Sequence, residues 1–207
     1  MPIFGFLHPG GGRQAGPRLE GERLYLRLPR SSDWRAWAAL RQASRDFLAP
    51  WEPTWAPEAL TRRAYRRRMR GQAVDRRIGQ SIAFFALRRH DHALLGGVTI
   101  SDIRRGVAQT CDLGYWIGKP YAREGYMTEA IGLVLRFAFD ELDLHRVTAA
   151  CLPSNVASQG LLRKMGFSQE GYARAYLRID GRWQDHILFA AIADGGDRSI
   201  ASTRAAE

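Results

Sequence analysis

Gly114-Tyr115-Trp116-Ile117-Gly118-Lys119-Pro120-Tyr121-Ala122-Arg123-Glu124-Gly125-Tyr126-Met127-Thr128-Glu129-Ala130 is the stretch whose reading decides the fold. Its first part completes a strand, Thr110 to Ile117, which Gly118-Lys119-Pro120 ends. Its last part opens a long helix, Met127 to Leu142, with apolar residues at Ile131, Val134, Leu135, Ala138 and Leu142, at helical spacing. A strand, a short loop and a helix in this order aim free backbone N–H groups and a positive dipole end at one point. That makes an anion site suited to a pyrophosphate. Gly125 lets the backbone come close to phosphates, and Arg123 adds a charge contact.

Upstream, Arg23 to Leu28 alternates at period two, as a half-buried strand does. Ser31, Ser32 and Asp33 offer caps for a helix through Trp34, Trp37, Ala38 and Arg41. Phe47 to Pro53 reads as a proline-broken loop, and a second helix is expected from about Pro57 to Gln72. Ser81–Arg89 and Leu94–Ser101 read as a hairpin. Downstream come a strand at Arg146–Leu152 and a helix at Asn155–Met165, closed by Gly166. Two last strands, Phe167–Arg174 and His186–Ile192, are bridged by Tyr176 to Trp183. Seven strands with interspersed helices predict an α/β (α+β) layer fold around one mixed sheet. The Gly- and Pro-rich residues 1–18 and the small, polar residues 194–207 read as flexible tails around a domain at 19–193.

With 207 residues, 45% apolar and 25% charged, the chain has the composition of a globular domain. No apolar run approaches a membrane span. Met1 to His8 lacks the basic start and the cleavage site of a signal peptide, which makes the cytoplasm the expected location. Cys111 and Cys151 lack a CxxC spacing and read as reduced core cysteines, and no metal site is expected. The net charge of +10 rests almost wholly on arginine, because lysine occurs only at Lys119 and Lys164. Such a balance suits an anionic partner.

A second informative segment is Pro153-Ser154-Asn155-Val156-Ala157-Ser158-Gln159-Gly160-Leu161-Leu162-Arg163-Lys164-Met165-Gly166-Phe167. Asn155 or Ser154 can cap its helix, with Ser158 in the first turn. Together the two segments resemble the GNAT superfamily of acetyl-CoA-dependent N-acetyltransferases over roughly Leu19 to Ala193. The RimJ/RimL branch, whose members acetylate protein N-termini, shares the features Phe47–Pro53, Leu113–Ile117, Asn155–Ser158 and Gly166–Gly171.

The resemblance implies a mostly antiparallel central sheet of about seven strands. It implies that Tyr115, Trp116 and Ile117 pair with the pantetheine amides of acetyl-CoA. Arg123, Glu124, Gly125, Tyr126, Met127 and Thr128 would wrap the pyrophosphate. Asn155 would hold the pantetheine arm, and Ser158 would protonate the leaving thiolate of coenzyme A. Trp51, Glu52, Tyr121, Tyr176 and Trp183 would wall the acceptor groove. The family's pattern of Gln or Arg, two residues, Gly, one residue, then Gly or Ala has Ala122 and Met127 at its ends here, with Gly125 kept. A glutamate proposed as base in some relatives falls at Leu177.

An amine must be neutral to attack a thioester. An α-amine, with a pKa of about 7.7–8.0, is partly neutral at pH 7, whereas a lysine near 10.4 is not. Loss of the glutamate therefore suits an N-terminal acceptor, such as the Ala or Ser terminus of a ribosomal protein. Glu52 and Asp112 remain the candidate bases, Asp112 sharing a strand face with Gly114 and Trp116. His90, His92, His145 and His186 read as surface or packing residues. The helix carrying Arg62, Arg66 and Arg70 on one face and Arg63 and Arg67 on the next is either a solvated face or a docking surface for RNA or for an acidic protein. Two other activities stay open: acetylation of a small amine such as a polyamine or aminoglycoside, and an acetyl-CoA-binding module of the ribosome or RNA.

Overall fold

The computed structural model describes residues 16–193. Eight strands form one sheet in the order β1-β2-β3-β4-β5-β6-β8-β7. They are β1 (Arg18–Glu20), β2 (Leu24–Arg27), β3 (Ile82–Arg88), β4 (Leu94–Arg104), β5 (Thr110–Ile117), β6 (Arg146–Cys151), β7 (Ser168–Ile179) and β8 (Arg182–Ile192). All neighbours run antiparallel except β5 and β6. The additional strand is β1, which carries a single inward residue, Leu19, and so leaves almost no periodicity to read. It begins at Arg18, within the segment read as a tail; residues 1–15 and 194–207 lie outside the described residues.

Alternation along the strands sorts the core into two layers. Leu24, Leu26, Phe84, Ala86, Leu113 and Val147 pack with Met127, Ile131 and Val134 of α4 (Tyr126–Arg136) and Leu162 of α5 (Val156–Lys164). On the opposite face Tyr25, Phe85 and Leu87 pack with Trp37 and Tyr65. Trp37 belongs to α1 (Trp34–Ala43), which leads into the short α2 (Arg45–Leu48), and Tyr65 belongs to α3 (Arg62–Arg77). Arg27 and Asp33 join β2 to α1 through two bonds of 2.7 and 2.8 Å, and Asp33 holds the guanidinium pKa of Arg27 above its usual value.

Four boundaries differ from the sequence expectation. α3 starts at Arg62 because Thr61 caps it, its hydroxyl accepting from Ala64 N–H at 3.2 Å, and it runs to Arg77. Within Phe47–Pro53, residues Ala49–Trp51 form a helical turn. The end of the helix expected to Leu142 widens into a π turn, Phe137–Glu141, closed by Leu142 N–H to the Phe137 carbonyl. The bridge Tyr176–Trp183 is the continuation of β7 and β8, joined by Asp180 (φ +45°) and Gly181 (φ +76°), the two-residue turn whose right-handed twist matches its strands.

Candidate active site

The parallel pairing of β5 with β6 has three rungs, Thr110 with Arg146, Cys111 with Val147 and Asp112 with Thr148. Beyond them the strands diverge: β5 stays paired with β4 to Ile117, and β6 stays paired with β8 to Cys151. Gly118 N–H donates to the Leu95 carbonyl at 2.8 Å. Antiparallel alternation then directs the N–H and C=O groups of Leu113, Tyr115 and Ile117 away from β4, toward the divergence. An extended, amide-bearing molecule fits along that edge as an added strand.

Side chains from three elements meet at the divergence. Tyr115 on β5 and Ser158 on α5 share a 2.7 Å hydrogen bond between hydroxyls. Ser158 also lowers the pKa of the Cys151 thiol at the end of β6, against the larger effect of burial. Asn155 is the cap of α5: its Oδ1 accepts from Ser158 N–H at 3.0 Å, which fixes the first turn and the serine with it. Burial pushes the Tyr115 phenol up to about 12 despite the Ser158 bond, and burial pushes both cysteine thiols up, Cys111 to about 12. These thiols are poor nucleophiles at neutral pH.

At the other end of the edge, α4 begins on Gly125 in the left-handed region (φ +80°), with no side chain capping it. Its first N–H groups, from Tyr126, Met127 and Thr128, lack intrahelical partners. They form an anion cradle at the positive end of the dipole. Met127 contributes its backbone alone, since its side chain is in the core, and Arg123 and Glu124 are exposed. The sequence reading missed Arg23 and Glu129. Arg23 donates to the Glu124 carbonyl at 3.0 Å and lies 4.7 Å from the centre of the Tyr126 ring. Glu129 accepts the Arg23 backbone N–H at 2.9 Å, so the turn after β1 is bolted to the cradle. The donor set fits a pyrophosphate, and the β5 edge fits a pantetheine arm.

The face of β5 carrying Trp116 looks toward the opposite layer. There Glu52 accepts two bonds from Arg41, at 2.8 and 2.5 Å, and one from Trp55 Nε1 at 2.8 Å. The Arg41 guanidinium stacks 4.2 Å from the Trp55 ring and 4.9 Å from Trp116. Arg41 and Trp55 carried no sequence signal, because the cluster is assembled from three distant segments. The Glu52 carbonyl takes Asp180 N–H at 3.1 Å, which ties the β7–β8 turn to this loop. Trp51, Tyr176, Leu177 and Trp183 are exposed on the same two elements. Tyr121 instead packs against the main core, and Tyr176 stacks edge-on with the buried His186. Asp112 sits at the last β5–β6 rung, where the Thr148 hydroxyl donates to it.

Comparison with known proteins bears on the same residues. Residues 23–168 match the model of the acetyltransferase (GNAT) domain family. The ribosomal protein uS5-alanine N-acetyltransferase of Escherichia coli (strain K12) is 34% identical over 174 residues, spanning 84% of this chain and 89% of that protein. The crystal structure of ribosomal-protein-S5-alanine acetyltransferase from Vibrio fischeri superposes with a TM-score of 0.79 at 31% identity, covering 86% of this chain and 97% of that one. Mycobacterium smegmatis RimJ in complex with CoA-disulfide gives 0.82 at 29% identity, covering 86% and 88%. With its split β5–β6 pair and glycine-capped α4, the chain belongs to the GNAT family of N-acetyltransferases, among relatives of the RimJ/RimL kind.

Proposed function

We propose that the protein transfers acetyl from acetyl-CoA to the N-terminal α-amine of a protein, a terminus beginning with Ala or Ser, with a ribosomal protein as the acceptor. The observation that carries the reading is the divergence of β5 from β6 after Asp112 and Thr148, with Ser158 and Tyr115 inside it and the α4 cradle at its end. The acceptor is inferred from the 34% identical relative, whose own acceptor is the alanine of uS5. The reaction belongs in the cytoplasm, where nascent and ribosomal proteins are. Among the described residues no helix is long and apolar enough to cross a membrane.

Acetyl-CoA supplies an activated thioester: the amine nitrogen bonds to the carbonyl carbon, the C–S bond breaks, and coenzyme A leaves with a proton. The chain's part is to hold and to move protons. Tyr115 and Ile117 offer backbone amides to the pantetheine arm, and the N–H groups of residues 126–128 with Arg123 hold the pyrophosphate. Asn155 fixes the turn that carries Ser158, and Ser158 gives its proton to the departing sulfur. Tyr115, protonated at every working pH, donates to the serine oxygen behind it. The amine gives up its own proton to water, and water returns one to the serine oxygen, so that the net transfer is from amine to sulfur. Three donors already occupy the Glu52 carboxylate, so its part is to hold the groove wall. Asp112, beside the divergence, is the remaining carboxylate for that water.

The groove carries exposed aromatic residues and an arginine-paired carboxylate, a lining suited to a peptide more than to a polycation. Thiol release from acetyl-CoA tests this with peptides starting in Ala, Ser, Thr or Met, their N-blocked lysine-containing counterparts, spermidine and an aminoglycoside. Turnover on free Ala or Ser termini, lost on blocking, is expected. Turnover confined to spermidine or the aminoglycoside refutes the acceptor assignment.

A further inference from the structure

The α3 helix concentrates the charge of the molecule. Its sixteen residues hold eight arginines and one aspartate, a net charge of +7 in a chain whose net charge is +10. Tyr65 is buried against Trp37 and gives its hydroxyl proton to the Arg30 carbonyl at 2.8 Å, so the inner face of the helix is anchored. All eight arginines are exposed. Arg62, Arg63, Arg66, Arg67 and Arg70 line one shallow concavity along the outer face. Among the described residues their one ion pair is Arg67 with Glu58, at 4.0 Å and largely in solvent.

That arrangement is unfavourable in the isolated chain. Like charges at i,i+4 spacing destabilise a helix. Arg62–Arg66, Arg63–Arg67 and Arg66–Arg70 each stand at that spacing without a carboxylate between them. A polyanion laid along the face removes the cost. Arginines four residues apart stand about 6 Å apart along the helix axis, comparable to successive phosphates on one nucleic-acid strand. The guanidinium fork matches phosphate geometry better than an ammonium does, and this surface is built from arginine alone.

Arg68, on a different side of α3 from that concavity, is the helix's electrostatic neighbour of the groove wall. Arg68 is exposed as a whole side chain, yet burial around its guanidinium lowers its pKa. The like charge of Arg41 adds to that, and Glu52 opposes it. The segment from Glu52 to the Thr61 cap leads directly from the groove wall into α3. A polyanion held on α3 is therefore joined to the groove wall through the segment from Glu52 to Thr61.

We infer that the outer face of α3 docks the phosphate backbone of RNA and so delivers a protein terminus presented by a ribonucleoprotein to the groove. The choice of RNA over an acidic protein rests on the proposed ribosomal acceptor. A chain of charge +10 repels a basic ribosomal protein at long range, and RNA is the polyanion that accompanies such a protein.

The test compares the wild type with an Arg62→Gln, Arg66→Gln, Arg70→Gln variant of the full chain. Binding of a fluorescein-labelled RNA duplex is followed by anisotropy as the salt concentration is raised. The slope of log K against log salt is expected to become shallower by about 2–3 in the variant, with binding at 0.1 M salt weakened about 100-fold. Thiol release with an Ala-starting peptide, measured on the same samples, is expected to keep its kcat/KM. That readout tests acetyl transfer separately, so failure of one is not mistaken for failure of the other. Equal RNA affinity in the two proteins overturns the inference. So does tighter binding of polyglutamate than of RNA at the same salt, which would assign the face to an acidic protein.

Discussion

Replacing Glu52 by Gln separates a wall-fixing carboxylate from a catalytic base. The amide keeps the shape and removes the charge. One oxygen can still accept a bond, but the other position now presents N–H groups to the Arg41 guanidinium. The side chain of Arg41 is 11% exposed and that of Glu52 20%, so water compensates only in part. Losing one charge-assisted bond and leaving a cation poorly paired costs about 1.5–3 kcal/mol. The rings of Trp55 and Trp116, at 4.2 and 4.9 Å, retain part of the attraction for that cation, which sets the expected net loss at about 2 kcal/mol. For a domain of this size that is a fall in Tm of roughly 4–8 °C. The loosened loop should raise KM for the peptide acceptor several-fold. The kcat should stay within about threefold of wild type, since in the proposed mechanism no proton passes through this carboxylate. Calorimetry and a thiol-release assay from pH 6 to 9 read all three quantities. A base removed by the same substitution would lower kcat by about 10²–10⁴ and flatten the pH profile. That result with an unchanged Tm would refute the argument.

The hydroxyl pair should behave as one unit. Ser158→Ala is expected to lower kcat about 100-fold. Tyr115→Phe should lower it about tenfold, and the double variant little more than Ser158→Ala alone, as steady-state kinetics will show. Because the Tyr115 phenol is held near 12, kcat/KM should rise with pH to a plateau near pH 8, set by the acceptor amine; Tyr115→Phe lowers the plateau without moving the inflection, and a shifted inflection would contradict this. Gly125→Ala places a Cβ at a φ of +80° and 3.0 Å from an Arg23 nitrogen. It should raise KM for acetyl-CoA about tenfold while leaving KM for the peptide unchanged, a split visible in initial rates. Asp33→Asn leaves the largely buried Arg27 guanidinium without its anion and should cost about 2–4 kcal/mol by denaturant titration, with kcat unaltered.

What the sequence disclosed was local in kind. The α5 cap was legible because Asn155 and Ser158 are three residues apart, and one hydrogen bond fixes them both. The α4 cradle was legible because a glycine and a helix start are neighbours in the chain. The Arg41–Glu52–Trp55–Trp116 cluster was not legible. Its members come from α1, a loop and β5, and only the packing of one layer on the other brings them together. The extent of β7 and β8 was obscured for another reason. Their outer ends are polar and exposed, so hydrophobic alternation fades there, although Asp180-Gly181 carried the turn signal that would have extended both strands.

The split in the sheet follows from the competition for β6. That strand pairs with β8 along its whole length, from Arg146 opposite Ile192 to Cys151 opposite Ile187, whereas β5 pairs with β4 from its first residues to its last. Each strand is therefore committed on one side, and three rungs suffice to join the halves. The Thr148 hydroxyl closes the last rung by donating to Asp112, with the Cys111 carbonyl 3.2 Å from the same oxygen. Past it, the alternation of β5 divides the work. The backbone edge at Tyr115 and Ile117 faces the divergence, the Tyr115 side chain reaches Ser158 in one layer, and Trp116 reaches Arg41 in the other. A one-residue slip of β5 against β4 would exchange those faces and separate Tyr115 from Ser158. The long β4–β5 ladder that prevents such a slip is thus what holds the cofactor edge and the acceptor wall in register.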